Sequence, residues 1–330
     1  MFVIIGVLFT FANQTIINME PKKHHYVPVC YLKQFSYDNN LLLHVFDKTT
    51  GKQFTKNAGD ILYETSFYRL SDSFLGNQQD CTLNNLSIEK DFFAESIESD
   101  YLRVLDWIRN ETNTRYNNKY FYFGLTDESK WIIAKFVIIQ YLRTPAIRHK
   151  VLCEVRDVEE KMVRLFKQGL SHELKKPEMV NVPVVSVYDE VATHATMTFM
   201  DERQINSIAD YLSKCYWHFY YSSKEELYTS DHPVNIIHRC EDVVEQNWGL
   251  TDYGAEIMAP LNPKLLLSIY DCRYYNMYGS TDGLFEEAFK DHIDYANACQ
   301  YAFSQRFLVD KLGGFEIAKK MKAIDENKTD

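Results

Sequence analysis

His24-His25-Tyr26-Val27-Pro28 stands directly after the basic pair Lys22-Lys23. No secondary structure demands two histidines, a tyrosine and a proline side by side, so this stretch is the first candidate for chemistry. Its reading also sets how the folded chain begins. Pro28 pushes Val27 out of helical geometry into an extended one. If extension runs back through the segment, His24 and Tyr26 face one way and His25 and Val27 the other. The two histidines are therefore not expected to share one metal ion. Pro28 also suits the start of a short helix, because a first-turn position needs no N–H donor. Cys30, Tyr31 and Phe35 fall on one side of such a helix. Two readings of the pair stay open. One histidine works in a site with Tyr26, or one is a structural donor and the other a surface imidazole.

Working outward, residues 41–46 and 52–55 flank the turn-rich Asp47-Lys48-Thr49-Thr50-Gly51, which predicts a β-hairpin. Residues 67–70 read as a third strand and residues 71–85 as a polar loop. Ser87 reads as the N-cap of a long helix carrying Ile88, Phe92, Phe93, Ile97, Tyr101, Val104 and Ile108. On a regular α-helix Glu89 and Glu98 lie about half a turn out of register. Only one of them is then expected to reach a given site. Glu98, near the stripe of Ala94, Tyr101 and Leu105, is the stronger candidate, either as a metal ligand or as a flank residue paired with a cation.

Thr126 opens a second helix, with Asp127 and Glu128 in its first turn, where the helix dipole favours them. Residues 131–142 are apolar on nearly every side, which predicts a buried helix. Gln140 and Arg143 share a face of it. A buried guanidinium needs a partner, and either a protein carboxylate or an anionic ligand serves. Pro145 ends or kinks this helix, and helical spacing resumes at Val151 and stops near Gly169.

Residues 171–196 contain Pro177 and Pro183 and offer a sub-boundary within a single domain expected over 19–308. Residues 204–212 read as a helix. Residues 216–221 are aromatic on both faces, as in a strand buried on two sides. The chain then turns at Ser222-Ser223-Lys224 and returns at 227–229. Asp231, in Ser230-Asp231-His232-Pro233, is set at a strand end, either presenting a functional carboxylate or closing an Asx turn. Residues 257–261 and 265–270 supply two more strands, 284–298 a helix and 301–307 a short apolar run. Residues 309–330 read as a C-terminal tail. The sum is an α+β protein: a central layer of two to four long helices, packed with an N-terminal β-hairpin and a mostly antiparallel C-terminal sheet.

Of 330 residues, 46% are hydrophobic and 15% aromatic, enough to fill a substantial core. A formal charge of −10 excludes a general basic coat for nucleic acid and leaves room only for a local groove. Seven cysteines, at 30, 81, 153, 215, 240, 272 and 299, show no metal-ligand spacing, so a reduced, cytoplasmic setting is expected. Phe2 to Phe11 is apolar but too short to span a bilayer, and no basic residue precedes it. Residues 1–18 are accordingly expected to be a start called too early, with Met19 the true one; a weak signal or anchor is the alternative. Stable membrane insertion is not expected.

Several motifs together resemble an uncharacterised bacterial family, the domain of unknown function numbered 4238. They are the His24–Pro28 element followed by Leu32 and Phe35, a helix with Glu89 and Glu98, and Gln140-x-x-Arg143-Thr144-Pro145. Ser230-Asp231-x-Pro233 and a late Asn297 complete the set. The resemblance covers about residues 22 to 308, and Val29-Cys30 departs from the glutamine and aromatic more usual there. It implies no settled biochemistry, and for some members it implies a role in defence against phage.

Three functions follow as expectations. In the first, His24, His25 and Asp231 act as acid and base, and Glu98 with Asp231 holds Mg²⁺ or Mn²⁺. Tyr26, Gln140, Arg143 and Ser230 then bind a phosphodiester, with Asn297 in support. In the second, the same groups form a buried network in a non-enzymatic sensor or interaction protein. In the third, the aromatic strands line a pocket for a small ligand.

Overall fold

The computed structural model describes residues 22–76, 84–183, 188–238 and 249–329. The expected early start at 1–18, Cys81, Cys240 and most of the apolar run at 184–188 lie outside these. The described chain enters through β1 (Lys23–His25). Pro28 ends the extension and precedes α1 (Val29–Leu32), which buries Cys30, Tyr31 and Leu32. The hairpin follows as β2 (Leu42–Asp47) and β3 (Gln53–Asn57), antiparallel, with Val45 opposite Phe54. Asp47 closes its turn by accepting from the Thr49 and Thr50 amides. β4 (Tyr63–Thr65) then returns to β1, with His24 opposite Glu64.

The strand expected at 67–70 is not formed. Three of its four amides are already taken, Tyr68 N by His24 Nδ1, Arg69 N by Ser66 O and Leu70 N by Asn85 O, which breaks any ladder. The segment turns instead and buries Phe67, Tyr68 and Leu70. The polar loop expected at 71–85 contains the short α2 (Asp72–Gly76). Ser87 is no cap, because its own backbone is helical and its hydroxyl accepts from Asn84 N. The helix beyond it opens as a π-helical stretch, Ile88–Ile97, and continues as α3 (Glu98–Asn118).

Thr126 caps α4 (Asp127–Leu142) by accepting from Ser129 N, as expected, and Ile133, Val137 and Ile138 are buried. Pro145 starts α5 (Pro145–Leu174) at its first turn, so the chain breaks between two helices instead of kinking one. α5 runs past Gly169, and its apolar spacing is not a core stripe: Val158, Met162 and Leu165 are exposed. α6 (Glu190–Met197) and α7 (Glu202–Ser213) complete this layer. Residues 171–196 are thus partly helical, and Ala192 and Ala195 enter the core.

The C-terminal strands are β5 (Tyr216–Tyr221), β6 (Thr229–Ser230), β7 (Asn235–His238), β8 (Ala255–Asn262), β9 (Leu265–Tyr270), β10 (Leu284–Glu287) and β11 (Phe307–Asp310). A five-stranded sheet has the order β10-β5-β9-β8-β7, antiparallel except for β10 against β5. A four-stranded sheet, β3-β2-β11-β6, joins the N-terminal hairpin to the end of the chain. The helix expected over 284–298 begins later, as α8 (Lys290–Phe303), since its first residues form β10. The expected tail is also structured. It forms the second half of β11 and all of α9 (Glu316–Thr329), and Phe315 and Ala318 pack with Phe46, Tyr228 and Leu308.

One face of the large sheet packs through Trp217, Phe219, Leu267 and Ile269 on α4 and α7. A second core gathers α1, the hairpin, the π-helical stretch, α3 and α6. Tyr31 ties the two halves of the chain, with its hydroxyl 2.8 Å from Thr229 Oγ1 and 2.6 Å from Pro260 O. No described helix is long and apolar enough to cross a membrane. Tyr31→Phe removes both contacts and leaves the ring in place. A loss of about 1–2 kcal/mol in urea unfolding is expected.

Candidate functional site

Arg143 ends α4 with a side chain only 1% exposed. A buried guanidinium requires acceptors all round, and the N-terminal strand supplies them. Arg143 Nη2 donates to His25 O at 2.6 Å and to Glu98 Oε1 at 3.1 Å. Its plane lies over the Phe93 ring at 3.9 Å, and the Tyr68 hydroxyl donates to Arg143 O. One turn earlier, Gln140 Nε2 reaches Tyr26 O at 3.5 Å. The shared helix face of Gln140 and Arg143 therefore grips two consecutive carbonyls of the histidine stretch. Burial opposes the charge of Arg143, but Tyr68, Glu98 and Glu89 outweigh it and hold its protonation above the ordinary range.

The expectation that Glu89 and Glu98 face opposite sides is corrected here. It assumed an α-helix, but a π-helix bonds i to i+5 and needs about 4.4 residues per turn, so nine residues make about two full turns. Both carboxylates consequently feel Arg143 and each other. Burial pushes Glu89 up to about 7, against the pull of Arg143, and its carboxylate also takes the His25 amide. Burial lowers His25, with Glu98 opposing, so its imidazole is neutral at pH 7.

Four side-chain atoms here are buried without a hydrogen-bond partner: His25 Nε2, Glu89 Oε2, Gln140 Oε1 and Arg143 Nε. Such atoms are rare in folded proteins and call for an explanation. The neighbourhood is not sealed, because Glu98 is 28% exposed and His25 and Glu89 are half-buried.

The two histidines diverge as expected. His24 is fully buried, its Nδ1 held by the Tyr68 amide. Tyr26 leans on Phe67, and its hydroxyl is raised by burial and by the charge of Asp231. Asp231 itself is committed elsewhere. Its two oxygens accept from the amides of Gln305, Arg306 and Phe307 at 2.7–2.8 Å. Burial raises its carboxyl, with those amides in opposition. Ser230 Oγ donates to Gln300 Oε1, and Asn297 bridges Tyr228 N and Glu226 O. These three residues staple the 226–235 segment to α8 and the loop after it. The link to Arg143 runs through its neighbours, with Thr144 Oγ1 2.9 Å from His232 Nδ1.

The structure thus gathers His25, Glu98, Gln140 and Arg143 with Glu89, and sets Ser230, Asp231 and Asn297 in an adjoining network. Glu98 and Asp231 do not converge as ligands of one cation, since one is turned to Arg143 and the other is enclosed by amides. Among the described residues, the one group of three ligand atoms close enough for a metal is Cys215, Asp271 and Cys272, which contains no sequence candidate. There Asp271 is already bound by Arg273 and by Tyr211. Sequence reasoning missed Tyr68 and Arg148. Arg148 lies over Phe67 at 3.4 Å and donates to its carbonyl. Its position five residues after Arg143 was the available signal; nothing marked Tyr68.

The fold and site define a mixed α+β protein built around a buried arginine and a pair of glutamates. The chain belongs to the family described as protein of unknown function DUF4238, whose model matches residues 23–311. No curated protein and no solved structure matches it.

Two outcomes test these roles. Asp231→Ala removes a buried carboxylate that accepts from three part-buried amides, and an unfolding loss of about 3 kcal/mol is expected in urea, with Asp231→Asn losing less. Glu89 gives a pH signature. Its folded value of about 7 exceeds the ordinary 4.5, so between those values the folded state keeps a proton that the unfolded chain has lost. Its contribution is therefore full below pH 4.5 and is lost as pH rises through about 7. Relative to Glu89→Gln, the melting temperature of the wild type should fall across that interval and run parallel above it.

Proposed function

We propose that the protein is a hydrolase in which Glu89 and His25 form the proton-transfer pair. The observation that carries this is the group of unpartnered buried atoms on His25, Glu89, Gln140 and Arg143, next to a Glu98 side chain that is 28% exposed. A carboxyl held near neutrality serves as general acid, and a neutral imidazole with an open Nε2 serves as general base. Arg143 Nε offers the donor that a bound anion would take.

A phosphodiester is the substrate class we propose. A polar cleft of about 630 Å³ supports it. The cleft lies along α3, lined by Arg109, Lys33, Lys264 and Lys311. None of the Glu89–Arg143 group lines it, and Cys30, which feels the charges of Glu98 and Arg143, is the lining residue that relates it to them. Asp38, Asp106 and Glu225 temper that charge, so a short single strand suits it better than a duplex. A setting in bacterial phage defence is proposed from the family resemblance alone.

The test is turnover of single-stranded DNA, RNA and cyclic dinucleotides with Mg²⁺, Mn²⁺ or EDTA. Glu89→Gln should lower kcat by about 10²–10⁴-fold. The rate should peak in a narrow window, bounded below by the lowered His25 value and above by Glu89 at about 7. Absence of turnover in every condition, or an unimpaired Glu89→Gln enzyme, sinks the proposal.

The complete burial of Arg143 favours a second reading, a non-enzymatic protein in which the Arg143–Glu98 pair only fastens the N-terminal strand. In that case no metal or nucleotide shifts the melting temperature, and Arg143→Ala lowers it sharply.

A further inference from the structure

The outer face of the five-stranded sheet is covered by α8 over only part of its width. Strand alternation brings Tyr220, Met258, Leu266, Ser268, Tyr270 and Glu256 to this face, opposite the main core. Met258 and Leu266 meet α8 at Ile293 and Ala296. Beyond that contact a cavity of about 440 Å³ stays open. It has the size of a small-molecule site and shares no lining residue with the Glu89–Arg143 neighbourhood.

The lining is selective in character. Four tyrosines, Tyr220, Tyr270, Tyr278 and Tyr295, contribute to its wall, and two carboxylates, Glu256 and Asp291, face it. No described lysine or arginine lines it. The rings are held in place. The Tyr220 and Tyr270 hydroxyls lie 3.0 Å apart, Tyr270 meets Tyr278 edge-on at 4.7 Å, and Tyr220 meets His292 at 5.1 Å. Glu256 is 2% exposed at the floor and Ser268 1% exposed beside it. An anion entering here would meet two carboxylates, with the imidazoles of His238 and His292 alongside them, while the carboxylates and the tyrosine rings both favour a cation.

We propose that this cavity binds a small organic cation, a quaternary or tertiary amine, with the ammonium group boxed by the tyrosines and directed at Glu256. The site is independent of the proposed hydrolase centre.

Choline is the probe, in isothermal titration calorimetry against the full chain. Its neutral isostere 3,3-dimethylbutan-1-ol is the control. Choline should bind with a dissociation constant of about 1 mM or tighter, and the isostere should bind at least about tenfold more weakly. Glu256→Gln and Tyr278→Leu should each weaken choline by about five- to tenfold while leaving the isostere unaffected. Tyr278 is partly exposed, so that variant carries the test if the buried glutamate proves necessary for folding. No heat from choline up to about 20 mM, equal binding of the isostere, or indifference to Tyr278→Leu overturns the assignment.

Discussion

Placing a guanidinium out of reach of water is the constraint on which the rest of the fold depends. Arg143 is too deep to be solvated, so every neighbouring element must offer it something. The strand entering the fold gives the His25 carbonyl, the helix before it gives Glu98, and Phe93 gives a ring face. Three segments far apart in sequence are thereby held to one point. Removing one partner leaves a stranded charge, which costs more than the pair itself is worth. In the histidine stretch it is the backbone, the His25 carbonyl, that serves as the ligand.

The π-helical stretch is the second element of that arrangement. Its wider turn brings Glu89 round to the side of Glu98. Two carboxylates then feel one guanidinium. Glu98 takes the ion pair, while desolvation holds the half-buried Glu89 up at about 7. An insertion of this kind in an α-helix is a local irregularity that often coincides with function. Here it sets a carboxyl raised to about 7 near an imidazole that burial lowers.

The late part of the chain plays a different part from the early one. Asp231, Ser230 and Asn297 spend their hydrogen-bonding capacity on backbone groups and on Gln300. They shape the frame on which Tyr26 and His232 rest. The network continues to Arg306 and Asp47, which close the small sheet from the other side. What reads in sequence as a constellation of reactive side chains is, in space, a half-open polar centre leaning on a closed structural one.

The sequence by itself determined the layers. A run apolar on nearly every side marked α4, Thr126 its cap, two short apolar runs about a turn-rich segment the hairpin, aromatic residues on both faces β5, and short motifs the family. These are local properties, carried by neighbours three, four or two residues apart. Tertiary structure alone decided which candidates meet. Whether 67–70 pairs as a strand depended on His24 capturing an amide, forty-four residues away. Whether Glu89 joins Glu98 depended on a helix turn wider than the α-helical period by which the sequence was read. The chain ending after 309 became a packed helix because Phe46 and Tyr228 offered a face to it. Long-range contacts of this sort leave no periodic trace, because each is a single meeting of two distant residues.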